Sequence, residues 1–158
     1  DVVSALQMLD AVLPAAPRHD LFVATAAVAD WRPAASAEHK IKKDGSGRPP
    51  ALAFAENPDI LATVARLPTD RRPWCVGFAA ESHDLVRHAR EKLERKGVPL
   101  IVANLGPATF GRDDNSLLLV DAAGERELPR ADKLSLARQL VAEIAARLPP
   151  AQARASAA

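Results

Sequence analysis

Three short apolar runs limit what this chain can become. They are Leu21-Phe22-Val23-Ala24-Thr25-Ala26, Trp74-Cys75-Val76-Gly77-Phe78-Ala79 and Leu100-Ile101-Val102-Ala103-Asn104. None alternates apolar with polar residues. A strand with one face in water alternates, whereas a strand covered on both faces does not, and such strands belong to parallel sheets. Parallel neighbours need a crossover of a dozen or more residues, usually a helix. The intervals between the runs are long enough for that, and 158 residues suffice for one domain with a sizeable core.

The intervals read as follows. Residues 4–13 place Ala5, Leu6, Leu9, Val12 and Leu13 at helical spacing behind Ser4 as N-cap, and Pro14 and Pro17 are expected to end that helix. Residues 31–50 form a long polar loop. Ala51-Leu52-Ala53-Phe54 is a short strand, and Asn57-Pro58-Asp59 opens a helix with Asn57 as its cap. Ser82 caps a helix over 83–96, with Leu85, Val86, Ala89 and Leu93 as its apolar stripe. Leu117 to Val120 and Glu125 to Leu128 form a hairpin, residues 131–148 a last helix, and residues 149–158 a flexible tail. This order predicts an α/β fold: a Rossmann-like three-layer sandwich with a mostly parallel sheet and a C-terminal hairpin. Doubly wound nucleotide folds begin with a strand and a glycine-rich turn. Here a helix comes first, so the expectation is a domain that lacks its first βα units.

Composition removes several functions. A net charge of +1 argues against general nucleic-acid binding, although a small anionic substrate needs only a few placed cations. No apolar run can span a bilayer and no signal peptide is legible, so a membrane role is not expected. The one cysteine, Cys75, lies in an apolar run, which fits a buried thiol and a reducing cytoplasm. There is no Cys and His pattern of a metal site, no Ser-His-Asp set and no P-loop. Trp31 and Trp74 read as packing residues.

In an open parallel sheet, ligands bind beyond the carboxyl ends of the strands. The three runs lead to Ala29-Asp30-Trp31-Arg32, to Ala80-Glu81 and to Asn104. Asp30 is either a turn residue or a hydrogen-bonding partner for a ribose, a base amine or a metal-bound phosphate. Lys40-Ile41-Lys42-Lys43 is either a solvated charge run or the set of flexible point charges that a triphosphate requires. Lys92 and Lys96, four apart, share one side of their helix. They are ordinary surface lysines or a pair that reaches an anion.

Four segments, taken in order, resolve these pairs of readings. Ala26-Ala27-Val28-Ala29-Asp30-Trp31-Arg32, Lys40-Ile41-Lys42-Lys43, Asn57-Pro58-Asp59-Ile60-Leu61 and Gly77-Phe78-Ala79-Ala80-Glu81 together resemble bacterial phosphopantothenoylcysteine synthetase, usually the C-terminal half of a bifunctional protein. Ala89 to Lys96, Val102-Ala103-Asn104 and Phe110 to Asn115 fit as well, and the resemblance covers residues 1–148. It implies a ligase of coenzyme A biosynthesis. The carboxylate of 4'-phosphopantothenate attacks the α-phosphate of CTP, pyrophosphate leaves, and the amine of cysteine then displaces CMP. It implies Mg²⁺ on the phosphates, a homodimer, and a phosphopantothenoylcysteine decarboxylase domain upstream. By motif, Ala26, Asp30, Pro58, Asp59, Ile60, Leu61 and Phe78 would contact the nucleotide. Lys40 would be the catalytic loop lysine, Lys92 and Lys96 would bind phosphates, and Asn104 would stand on the site wall. The family's N-terminal glycine-rich segment and its amide-forming asparagine are absent, and Trp31 stands where tyrosine is frequent. Two alternatives stand beside this: a non-catalytic nucleotide-binding domain, and an interaction module whose lysine loop docks an acidic partner.

Overall fold

The computed structural model describes residues 1–149 except 36, 38, 44, 46, 107, 108 and 110, so Phe110 and the expected tail from 150 onward lie outside the described residues. In chain order the elements are α1 (Ala5–Ala15), β1 (Leu21–Ala24), β2 (Trp31–Pro33), β3 (Phe54–Glu56), α2 (Ile60–Ala65), β4 (Trp74–Glu81), α3 (Leu85–Lys96), β5 (Leu100–Leu105), β6 (Asp114–Asp121), β7 (Gly124–Asp132) and α4 (Lys133–Arg147). The main sheet has the order β1-β4-β5-β6-β7. β1, β4 and β5 are parallel, with Val76 opposite Val23 and Leu100, and β6 and β7 add the antiparallel hairpin.

Side chains alternate across the parallel core. Cys75, Ala79, Ile101 and Ala103 face α1, α2 and α3, where they meet Leu13, Leu61, Val64 and Ala89. Val76, Leu100 and Val102 face α4, where they meet Leu136, Leu140 and Ile144. Both faces are therefore covered, as the unalternated runs require, and the three layers are helix, sheet and helix. Cys75 is buried among these side chains; burial pushes its thiol up to about 11, against an opposing effect of the Arg72 charge. No helix among the described residues is long and apolar enough to cross a membrane.

Several boundaries differ from the sequence reading. Ser4 caps α1 as expected, reciprocally with Gln7, but Pro14 lies inside the helix rather than ending it. A proline so near the last turn removes only one intrahelical bond, and the chain runs on to Ala15 and a 3-10 turn, Ala16–Arg18. The polar stretch 31–50 is not all loop, because Trp31–Pro33 pairs antiparallel with Phe54–Glu56. Asn57 does not cap the second helix. Asp59 does, accepting from Ala62 N–H at 3.0 Å. Ser82 does not cap the third, whose cap position is held by Asp84. The first hairpin strand, expected from Leu117, already starts at Asp114, so Asp114 and Asn115 lie within β6. There Arg112 and Arg130 hydrogen-bond the Asp114 carboxylate and hold it well below the usual range.

Gly77 sets the distance between sheet and helix. A Cβ there would lie 2.6 Å from Leu61 Cδ2 and 2.8 Å from Ile101 Cδ1. Overpacking of this kind costs about 1–3 kcal/mol. Gly77→Ala is therefore expected to lower the unfolding free energy by that amount, read as a lower urea midpoint at an unchanged denaturant slope. An unchanged midpoint would show that α2 is not seated by this close approach.

Candidate functional site

A cleft of about 460 Å³ starts at the carboxyl end of β1, passes the first turn of α2 and reaches the last turns of α3. Local chemistry shapes each wall. Asn57 ties two of them together: its N–H donates to Asp30 O at 2.8 Å, its Nδ2 donates to Ala29 O at 2.8 Å, and its Oδ1 accepts from Arg32 at 3.2 Å. Arg32 also donates to Glu56 O across the β2–β3 pair. The turn after β1 is thereby fixed against the segment that opens α2. Asp30 uses its backbone carbonyl in this turn, while the residue itself lines the cleft.

Ala26, Asp30, Pro58, Asp59, Ile60, Leu61, Phe78, Lys92 and Lys96 all line this one cleft. Two of the sequence candidates do not. Lys40 is exposed in the stretch between β2 and β3, and Asn104 near the end of β5 donates to Thr109 Oγ1 at 3.0 Å. Asn104 thus braces the loop after β5 rather than facing the cleft. Trp31, read as a packing residue, is 61% exposed and lines the cleft, whereas Trp74 packs on the core as expected. Trp31 sits on an outer two-stranded ribbon, and only the pairing of that ribbon, which the polar composition of 31–50 conceals, reveals its position. Arg95, not singled out from the sequence, adds a third cation beside Lys92 and Lys96.

The electrostatics are those of a cleft with more positive than negative groups on one wall. Lys96 Nζ pairs with Asp59 Oδ2, its side chain only 13% exposed. Burial by itself would raise the Asp59 carboxyl. The Lys96 bond, the Ala62 N–H and the charges of Lys96 and Arg95 outweigh burial and hold it below its ordinary 3.8. The folded value is depressed, so the stability this carboxylate gives is fully present above the ordinary value and fades as pH falls through the folded one. Lys92 is shifted down from 10.5, first by burial and then by the charges of Lys96 and Arg95, against the opposing pull of Glu81 and Asp30. A half-buried ammonium beside other cations, with no ion-paired carboxylate among the described residues, favours an anion that would supply one.

A larger cavity, about 840 Å³, opens at the opposite, amino ends of the strands among Asp20, Arg72, Trp74 and Pro99. Size alone does not make it the site. Ligands of parallel sheets bind beyond the carboxyl ends, and the α3 cations line the smaller cleft.

The fold and the cleft define a three-layer α/β protein of the doubly wound class, with cations gathered on one helix beside the carboxyl end of a parallel strand. The chain belongs to the DNA/pantothenate metabolism flavoprotein C-terminal domain family, whose model matches residues 1–148. It is 41% identical over 147 residues to the coenzyme A biosynthesis bifunctional protein CoaBC of Vibrio vulnificus strain YJ016, covering 91% of this chain and 36% of that protein. It is 41% identical over 151 residues to CoaBC of Escherichia coli strain K12, covering 93% and 37%. The chain thus spans little more than a third of the length of the curated relatives it matches. The crystal structure of a CoaBC C-terminal domain matches with a TM-score of 0.70 and 30% identity, over 90% of this chain and 62% of that one. A mutant of Cab2 in complex with phosphopantothenate-cysteine shares the fold, with a TM-score of 0.72 and 18% identity over 92% and 51%.

The Lys92 environment can be read directly. By NMR of reductively methylated protein, Lys92 is expected to titrate below 10.5, and Lys96→Met is expected to move it back up. A Lys92 midpoint at or above the ordinary value would contradict the buried, cation-crowded setting described for it.

Proposed function

We propose that this chain is the nucleotide-handling part of a phosphopantothenate–cysteine ligase in coenzyme A biosynthesis, with CTP as the activating nucleotide. The observation that carries the reading is the convergence of Lys92, Arg95 and Lys96 on the cleft walled by Ala26, Asp30 and the Pro58–Leu61 segment. The family membership and the CoaBC relatives support it. In the whole protein this part would follow a decarboxylase domain, work as a homodimer, and take 4'-phosphopantothenate and cysteine as its other substrates.

The proposed chemistry is the one that the family resemblance implies. A carboxylate is a poor acylating agent for an amine at neutral pH. Joined to the α-phosphate of CTP it becomes an acyl-cytidylate, and pyrophosphate departs; the cysteine amine then forms the amide as CMP leaves. The transfer at phosphorus is chiefly a matter of positioning and charge neutralisation. Lys92, Arg95 and Lys96 would hold the phosphate oxygens. Lys96 would exchange Asp59 for a phosphate, an exchange of one anion for another on a cation already placed. Asp30 and the backbone after β1 would orient the ribose and the pyrimidine, with Phe78 and Leu61 as apolar floor. Lys40 would join from the stretch between β2 and β3, a stretch anchored beside the cleft at both ends because Trp31 and Glu56 line it. Mg²⁺ would be held chiefly by the substrate phosphates, with the cleft-lining carboxylate of Glu56 as the available protein oxygen, and the ion would supply charge neutralisation on the phosphates.

Pyrophosphate release from CTP in the full-length protein, dependent on 4'-phosphopantothenate, is the deciding assay. CTP is expected to support it better than ATP, and Lys40→Ala is expected to reduce it by about a hundredfold or more, the scale of losing one positioned charge donor. Folding should persist, because an exposed loop lysine contributes little to stability. Near-normal turnover in Lys40→Ala, or equal rates with both nucleotides, would remove the corresponding part of the proposal.

A further inference from the structure

The junction of β4 and α3 gathers a second set of chemically active side chains, none of which lines the cleft. Ligand atoms of His83, Asp84 and His88 all lie within 4.8 Å of one another. The sequence hides this set, because Asp84 and His88 are four apart but the adjacent His83 would fall on another face of a continuous helix. A left-handed turn at Asp84 (φ 48°) folds it together, and Asp84 is the single non-glycine residue with positive φ among those described. An aspartate in the cap position normally accepts a hydrogen bond from the helix backbone. Asp84 makes none, and its carboxylate turns to Arg87 instead.

The two rings are placed as ligands of one ion would be. Their centroids are 5.1 Å apart and their planes 79° to each other. Two imidazoles bound to a tetrahedral ion by bonds of about 2.1 Å have centroids about 5.2 Å apart. Each ring also has an outer partner. Ser82 Oγ lies 2.8 Å from His83 Nδ1, and Glu81 Oε2 lies 3.4 Å from His88 Nδ1, a buried atom with no hydrogen bond. Outer groups of this kind orient the histidines of metal sites. Between the ligands, Arg87 Nη2 stands 3.0 Å from Asp84 Oδ2 and 3.0 Å from His88 Nε2. Arginine has only donors, so His88 Nε2 presents its lone pair there. One cationic nitrogen is thus already held by a carboxylate and an imidazole.

We infer that His83, Asp84 and His88 form a binding site for a divalent transition-metal ion of the zinc class, with Arg87 as the group it displaces. Two imidazoles and one carboxylate suit zinc, cobalt or nickel, whereas magnesium prefers an all-oxygen shell. Three protein ligands leave a fourth position for water or an anion. The donors must close from within 4.8 Å to the roughly 3.4 Å spacing of a tetrahedral shell. Little opposes this. The Arg87 and Asp84 side chains are 57% and 58% exposed, and Arg87 keeps Glu91 as a partner after it leaves.

The metal-free protein is titrated with Zn²⁺ by calorimetry and with Co²⁺ by visible absorption, in excess Mg²⁺. One saturable equivalent is expected, with the intense absorption bands of four-coordinate cobalt. His83→Gln and His88→Gln should each weaken binding by about tenfold or more. Arg87→Gln should tighten it severalfold, which a purely structural role for the two rings would not produce. His83 is exposed, so its variant keeps the test valid even if His88→Gln disturbs α3. The chain has four histidines, and the double variant retains only His19 and His39. Absence of saturable binding by the unaltered protein, competition by Mg²⁺, or equal zinc affinity in the double variant would overturn the site. None of these outcomes depends on nucleotide chemistry, so they leave the ligase proposal to its own assay.

Discussion

A parallel strand cannot pass to its neighbour through a tight turn, and this requirement organises the molecule. β1, β4 and β5 are parallel, so the chain must cross one face of the sheet twice. The crossing from β4 to β5 is α3, and the crossing from β1 to β4 contains the β2–β3 ribbon and α2. Both crossings pack on the same face, together with α1. The elements that carry Asp30, Asp59, Lys92 and Lys96 therefore meet because the topology leaves them no other place. Gly77 then sets how closely one of them approaches, since Leu61 fills the space that a side chain would have taken.

Within that arrangement Asp59 performs two jobs. It closes the first turn of α2 through Ala62 N–H, and it holds Lys96 at the end of α3. The carboxylate is kept ionised by these partners although burial works against it. A phosphate arriving in the cleft would compete for Lys96 but not for the backbone bond, so α2 would keep its cap while the lysine changes partner. Among the described residues no carboxylate bonds Lys92, one turn earlier on α3, and its charge is disfavoured by burial and by the Lys96 and Arg95 charges. Of the three cations on this wall, Lys96 is therefore already matched, while Lys92 and Arg95 form no ion pair among the described residues.

How much of this was legible before the structure depends on the range of each interaction. The buried strands were legible because their lack of alternation is a local pattern with one physical meaning, and β4 and β5 lie where the runs lie. Nine of the eleven candidate residues came together because strand ends and a following helix share one edge in such sheets. The caps were misread at Asn57 and Ser82 for a common reason. Either residue type can cap a helix, and other partners made the choice: Ala29, Asp30 and Arg32, far away in sequence, engage Asn57, and the adjacent His83 ring engages Ser82. Trp31 and the turn at Asp84 were missed because a three-residue ribbon and a single left-handed residue leave no periodic trace. The ordered motifs, rather than any one of them, carried the family resemblance, and the family match over residues 1–148 agrees with it.

The central claim is that the cleft between β1, α2 and α3 is where the nucleotide binds. Hydrogen exchange of the full-length protein, measured with and without CTP and Mg²⁺, tests it most directly. Slowed exchange is expected at residues 24–31, at residues 57–62 and in the last turns of α3, with no change near Asp20, Trp74 and Pro99 at the opposite end of the sheet. Protection confined to that opposite end, with the cleft unaffected by saturating CTP, would contradict the account.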